Sequence, residues 1–314
     1  MSNSLLDFDS VTQQLKNIDR RKKPKMLVVD DEPDNLDLLY RTFRRDFRVY
    51  KADSGMQALE VLSEEGEVAV IISDQRMPEM KGTEFLSQTV PQFPDTVRII
   101  LTGFTDVEDL VEAINSGQVY KYITKPWDPN ELKAVVDRAA ETYDLLKQRT
   151  EELNLAQQQI QLSATIVQIT QDCQKIESAL EPFATAIGQC FSGDGCVLQA
   201  VKDGALVGEL GRYSSSETLP IALESDPFVK DAIASGEIRA WTNSASNPPP
   251  EGAEAYQSSG LQLHLVVPAI YQKEVLAVLS LQWQKSTNLE QELKLIHLSA
   301  QHLGVALKLI ATNA

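Results

Sequence analysis

Cysteine, positive charge and long apolar runs are what this chain has little of. Cys173, Cys190 and Cys196 are its three cysteines. They show no paired spacing of the kind a metal site uses, and no signal peptide is recognisable. That usage predicts a reducing cytoplasm. Lys and Arg number 29 against 45 Asp and Glu, for a formal net charge of −16 and a pI near 4.7. An obligate nucleic-acid binder needs a basic face. No helix-turn-helix pattern with clustered Lys and Arg follows residue 150, so no nucleic-acid partner is expected. No apolar run approaches the roughly 20 residues that cross a bilayer, so no membrane is expected either. The 314 residues are still enough for two domains with proper cores.

What is present begins between Met26 and Trp127. Four apolar, β-branched runs of strand length, Met26–Val29, Val68–Ile72, Val97–Leu101 and Val119–Ile123, each lead into a polar residue. "LVVDDE" carries Asp30 and Asp31, "IISDQRMPEMKG" carries Asp74, "IILTGF" carries Thr102, and "KYITKPW" carries Tyr122 and Lys125. Acidic, hydroxyl and ammonium groups at the carboxyl ends of buried strands are what an open parallel sheet offers a ligand at its rim. Three carboxylates together are unfavourable unless a hard divalent cation joins them.

In order and spacing these pieces resemble the receiver domain of bacterial two-component response regulators. The resemblance implies a doubly wound, flavodoxin-like α/β fold with a five-stranded parallel sheet. It implies that Asp74 accepts a phosphoryl group from a histidine kinase or phosphotransfer protein. Lys125, the Thr102 hydroxyl and the Gly103 amide then contact the phosphoryl oxygens. It further implies Mg²⁺ held by Asp31, by Asp30 through water, by Asp74 and by the Arg76 backbone carbonyl. Thr102 and Tyr122 become the switch pair, and Lys125–Pro126 is a bond that is usually cis in the family. None of the acidic or lysine positions is lost, as they often are in degenerate receivers. The Arg76 and Phe104 side chains are placed to tune access to the site.

Residues 1–24 form an N-terminal extension in which Leu5, Phe8, Val11, Leu15 and Ile18 recur at helical spacing before "RRKKPK". The receiver is expected over 25–127, a helical coiled-coil linker over 128–165, and a second domain over 166–314. Asp128–Pro129 opens a helix expected to run unbroken to about Leu180. Leu132, Ala139, Leu146, Leu153, Ile160 and Val167 repeat every seven residues. Leu162, Ile166, Ile169, Cys173, Ile176, Leu180 and Phe183 make a second stripe in steps of four and three. Both periods suit a coiled coil, so a homodimer is expected; the rival is a helix lying on its own domain.

The second domain reads as α+β. Cys196–Val201 and Ala205–Tyr213 flank a "KDG" turn, and Asp226–Ser235 is a helix that stops at Gly236. "NSASNPPPEG" is a loop, Leu263–Ile270 and Glu274–Trp283 flank "YQKE", and Asn288–Ile310 is a final helix. With "LHLVVPAIYQKEVLAVLSLQW" as its centre, this stretch resembles a GAF domain. GAF domains of phytochrome-like photoreceptors attach a linear tetrapyrrole through a cysteine typically followed by histidine. Here Cys190 precedes Phe191 and Cys196 precedes Val197, so no covalent bilin is expected. No Asn-Lys-x-Phe-Asp-Glu-type cyclic-nucleotide signature is found. His297 and His302 lie five apart and are poorly spaced as a metal pair, and the cysteines read as small buried apolar residues.

The whole is therefore expected to be a cytoplasmic phosphorelay response regulator that is not itself an enzyme. Its GAF-like domain makes protein contacts with an unidentified downstream partner. Two other readings stay open. One is a ligand- or chromophore-sensing GAF protein with a regulated receiver; the other is the regulatory half of a longer enzyme continuing beyond residue 314.

Overall fold

In the first half of the chain, strand-length apolar runs alternate with amphipathic helices, and that alternation winds into a parallel sheet. The computed structural model describes residues 23–103, 119–215, 223–243, 255–285, 289 and 292–313. The helical reading of the N-terminal extension, Phe104, and all but the first residue of the "NSASNPPPEG" loop lie outside them. The chain divides between Glu152 and Leu153 into two units.

In the first unit, β1 (Lys25–Val29), β2 (Arg48–Ala52), β3 (Val70–Asp74), β4 (Val97–Thr102) and β5 (Lys121–Thr124) pair in the order β2-β1-β3-β4-β5. Every pairing is parallel. β2 is absent from the four apolar runs because it is an edge strand of sequence RVYKA, with only Ala52 fully buried. Helices α1 (Pro33–Phe43), α2 (Gly55–Glu65) and α3 (Gly82–Thr89) connect the strands. α1 starts with proline in its first turn and buries Leu36, Leu39 and Phe43. Ser54 caps α2 by accepting from Gln57 N. Alternation along each strand sends Met26, Val28, Ile72, Ile99 and Leu101 to the face covered by α1. Leu27, Val29, Ile71 and Ile100 go to the face covered by α2 and α3. The fold is a doubly wound α/β receiver-type sheet.

Helix α4 (Pro129–Asp172) runs 44 residues. Leu132, Val135, Val136 and Ala139 at its start are buried in the first unit's core, with Trp127 and Tyr143 packed beside them. Further along, Lys147 Nζ reaches Glu67 Oε2 at 2.6 Å and Thr150 donates to Asp95 Oδ1 at 3.1 Å. In the second unit Leu162 and Ile166 are buried against its sheet. The stripe from Leu162 onward thus lies on its own domain, the rival to self-association for those residues. The expected unbroken helix to Leu180 is corrected: α4 ends at Asp172, and α5 (Ile176–Cys190) follows an extended Lys175 with φ −134°. No glycine or proline marks that break. It is made where Ile169, Cys173 and Ile176 all turn onto one core, a tertiary demand that overrides helix propensity.

The second unit is a five-stranded antiparallel sheet in the order β7-β6-β10-β9-β8. Its strands are β6 (Gly195–Lys202), β7 (Ala205–Ser214), β8 (Arg239–Thr242), β9 (Leu263–Tyr271) and β10 (Glu274–Trp283). The "KDG" turn is made with Asp203 and Gly204 at positive φ. α6 (Pro227–Ser235) is capped by Asp226 and ends on left-handed Gly236. β8 and the one-turn α7 (Ala255–Ser258) were not legible as elements. α8 (Leu293–Asn313) begins five residues later than the apolar pattern suggests. One sheet face packs against α5 and α8 through Cys196, Leu198, Leu265, Leu279, Phe183 and Leu303, with Trp283 at 1% exposure. The opposite face, under α6, carries Val197, Val201, Val266 and Val278. Among the described residues only Leu293–Thr312 of α8 is long and apolar enough to cross a membrane. Half of that stretch is buried on the sheet, as expected of a core helix.

Candidate functional site

The carboxyl ends of β1, β3, β4 and β5 bring Asp30, Asp74, Thr102 and Lys125 to one rim. Asp30 follows the last residue of β1 and is fully buried, while Asp74 ends β3 at 6% exposure. Lys125 Nζ lies 2.6 Å from Asp74 Oδ1 and 2.9 Å from Asp30 Oδ2, so one ammonium holds two carboxylates. The Arg76 amide donates to Asp74 Oδ2 at 2.9 Å. The Lys125–Pro126 bond is cis. Gly82 is required beside Asp74, because a Cβ there would stand 2.1 Å from the Asp74 carbonyl oxygen.

Burial raises Asp74 above the ordinary carboxylate range, and the Asp30 charge adds to that. Lys125 and the Arg76 amide oppose the rise without cancelling it. Burial would lower Lys125, but its hydrogen bonds to Asp74 and Asp30 carry it above its usual value. The rim is a desolvated carboxylate paired with the Lys125 ammonium.

The remaining predicted residues sit around this core. Asp31 is exposed at the mouth. The Thr102 hydroxyl is buried and donates to the Gly103 carbonyl at 3.0 Å. A Cβ on Gly103 would lie 3.3 Å from Arg76 Nη2, so the arginine side chain does border the site. Tyr122 on β5 points outward at 45% exposure. Asn35 carries no mark in the sequence, yet its amide donates to both Asp30 oxygens at 3.1 and 3.2 Å. The Glu32 amide adds a third bond at 2.9 Å. Asp30, Asp31 and Asp74 offer oxygen atoms of the kind Mg²⁺ takes. Among the described residues no three His, Cys, Asp or Glu side chains are gathered into a cluster that could hold a metal; Asp30 and Asp74 are instead joined on Lys125.

The second unit holds a buried polar cluster that was not foreseen. The Asp226 carboxylate accepts from the Phe228 amide at 2.8 Å and from the Tyr256 hydroxyl at 2.8 and 2.9 Å. His264 Nε2 lies 2.8 Å from Ser280 Oγ, which also accepts from Gln282 Nε2 at 3.0 Å. His264 Nδ1 is 3.8 Å from Asp226 Oδ2. Aspartate, histidine and serine stand in the sequence of a nucleophilic triad, yet Ser280 and His264 are fully buried. Neither presents a surface to solvent. Period-two alternation in β9, which turns His264 away from Leu263 and Leu265, was the one signal available. Cys196 lies wholly in the core and Cys190 is half-buried, and burial raises both thiols, Cys190 to about 11.

Residues 26–137 match the response regulator receiver domain family, and residues 178–308 match the GAF domain family. The chain carries a response regulator receiver domain followed by a GAF domain. Among its relatives, the hydrogenase transcriptional regulatory protein HoxA of Cupriavidus necator is 41% identical over 124 residues, covering 40% of this chain and 26% of that protein. The transcriptional regulatory protein GlrR of Escherichia coli is 37% identical over 121 residues, covering 38% and 27%. The chain thus spans about a quarter of the length of these relatives. A receiver domain protein from Clostridium thermocellum superimposes with a TM-score of 0.37 at 29% identity, over 39% of this chain and 98% of that one. A structure described as adenylate cyclase from Rhodopirellula baltica gives 0.41 at 34% identity, over 42% and 98%.

Proposed function

We propose that Asp74 accepts a phosphoryl group from the phosphohistidine of a histidine kinase or phosphotransfer protein. A carboxylate oxygen of Asp74 forms the new P–O bond as the donor's P–N bond breaks and its imidazole departs. The observation that carries this is the Lys125 ammonium, 2.6 Å from Asp74 and 2.9 Å from Asp30. It is a cation already placed where charge must collect on the incoming oxygens. Bound Mg²⁺, held by Asp31, Asp74 and the Arg76 carbonyl with Asp30 through water, would supply the remaining neutralisation. Thr102 and the Gly103 amide would donate to the phosphoryl oxygens, the Thr102 hydroxyl leaving the Gly103 carbonyl to do so. The exposed Tyr122 is the side chain that turns inward when Thr102 is drawn to the phosphoryl group.

The test is phosphorylation with acetyl phosphate and Mg²⁺, or binding of beryllofluoride. Wild type should be modified and Asp74→Ala should not; acid-labile phosphate retained in Asp74→Ala would sink the assignment. Lys125→Ala should accept phosphate yet lose the change in Tyr122 exposure. The output we assign to the GAF domain is contact with a downstream protein. One observation favours a ligand-sensing reading instead. Gln199 Oε1 and His264 Nδ1 are buried on one sheet face without a hydrogen-bond partner among the described residues, and such atoms commonly meet water or a ligand. Native mass spectrometry of the purified protein separates the two, since a retained small molecule would move the output to sensing.

A further inference from the structure

Asp30 is fully buried, so its two oxygens depend on protein donors rather than on water. Oδ1 accepts from the Glu32 amide at 2.9 Å and from Asn35 Nδ2 at 3.1 Å. Oδ2 accepts from Asn35 Nδ2 at 3.2 Å and from Lys125 Nζ at 2.9 Å. Among the described residues, Asn35 is therefore the donor that serves both oxygens; its amide also reaches Glu32 Oε2 at 3.3 Å. The backbone explains how a residue five along the chain comes back to the strand end. β1 stops at Val29, and the Asp30 carboxylate takes the amide two residues on, which closes a tight turn. Pro33 then starts α1 at once, with Glu32 extended before it at φ −91° and ψ 114°. Asn35 falls in the first turn of α1 and is not one of Leu36, Leu39 and Phe43, the residues that helix buries.

Lys125 is shared, 2.6 Å from Asp74 and 2.9 Å from Asp30. A cation arriving at these carboxylates, or an anionic group arriving at Asp74, competes for that ammonium or displaces it. When Lys125 leaves Asp30, Oδ2 keeps Asn35 as its donor. Without Asn35 that oxygen would be bare in a buried place, and a bare buried acceptor costs more than an ordinary hydrogen bond gains. We propose that Asn35 is a positioning residue. It holds the Asp30 carboxylate in one orientation while Lys125 is exchanged, and so sets the affinity of the rim for Mg²⁺. The proposal rests on the reading of the rim as a phosphoryl-accepting site. It adds to that reading a side chain that acts through Asp30 alone.

The test titrates the full chain with MgCl₂ alone and follows the amides of Gln75 and Arg76, beside Asp74, by NMR. Asn35→Leu keeps the approximate shape and removes the donors. Its Mg²⁺ midpoint should rise by roughly 10-fold or more, the usual loss when a metal-ligating carboxylate is deprived of its hydrogen-bond partner. Asn35→Ala should do the same, and it decides the case if the leucine variant does not fold. Far-UV circular dichroism should be unchanged, because Asn35 is outside the buried face of α1. The discriminating comparison is made in an Asp30→Asn background. There Asn35→Leu should move the midpoint by less than about two-fold, because the group it acts through is gone. An equal rise in both backgrounds would assign the effect to a loosened α1 and overturn the proposal. An unchanged midpoint in the folded Asn35 variants, with wild type responding to Mg²⁺, overturns the proposal alone. A wild type that shows no response to Mg²⁺ sinks the phosphoryl-accepting reading, and the role of Asn35 with it.

Discussion

Neutralising Asp74 should stabilise the fold at neutral pH. Burial holds its folded pKa above the ordinary carboxylate value, so the folded state grips that proton more tightly than the unfolded chain. Stability therefore falls as pH rises through the window just above the ordinary carboxylate value. Asp74→Asn should melt higher than wild type at pH 7, with the difference closing as pH drops below that window. A lower melting temperature at pH 7 would mean that the ion pair with Lys125 outweighs burial. His264 has the opposite sign. Burial lowers it from 6.5 to about 4, against the pull of Asp226. The folded domain excludes a proton that the unfolded chain binds, and stability is lost as pH falls from 6.5 toward 4. The full effect is on the order of 3 kcal/mol. His264→Gln should flatten that stretch of the stability–pH curve, and an unchanged slope would assign the loss to other groups. Gly82→Ala should be costly out of proportion to one methyl, because its Cβ would collide with the Asp74 carbonyl oxygen rather than with a yielding side chain.

At the level of elements, α4 separates two kinds of apolar residue that look alike in sequence. Leu162→Ala empties a site at 4% exposure in the GAF core and should cost about 2–5 kcal/mol of unfolding free energy. Ile160→Ala, two residues earlier at 71% exposure, should leave the unfolding of an isolated chain nearly unchanged and act on association. Denaturant melts at low and high protein concentration distinguish them; a large, concentration-independent loss at Ile160 would contradict its bare position. Elements with a local signature were legible beforehand. Asp30, Asp74 and Lys125 each follow an apolar strand, and the Asp203–Gly204 turn and the Asp226 cap have residue types that their backbone demands. Elements set by distant partners were not. β2 holds Tyr50 and Arg48 on an open edge and looks like loop, and β8 is only four residues long. The break after Asp172 occurs in a stretch with no helix breaker. Asn35 reads as an ordinary first-turn residue until Asp30 is seen against it.

For the molecule as a whole, the two units bear different chemistry: a charged rim in the receiver and a sealed interior in the GAF domain. Cys196 sits in the core, and neither it nor Cys190 is followed by histidine. Co-expression with enzymes that make linear tetrapyrroles should therefore yield colourless protein, and a visible band that survives denaturation would refute this. The three tryptophans divide along the same line. Trp127 lies two residues beyond Lys125, half-buried against the receiver core. Trp241 and Trp283 are each 1% exposed in the GAF domain, where Trp283 Nε1 donates to the Phe191 carbonyl at 3.1 Å. Intrinsic fluorescence is thus a built-in two-channel reporter. Emission from Trp127 should shift when the Lys125 end of the rim rearranges, while the GAF pair stays blue and unquenched until its core opens. Trp127→Phe leaves a chain whose light comes from the GAF domain alone, and subtracting its melt from that of wild type gives the receiver's own unfolding without cutting the protein.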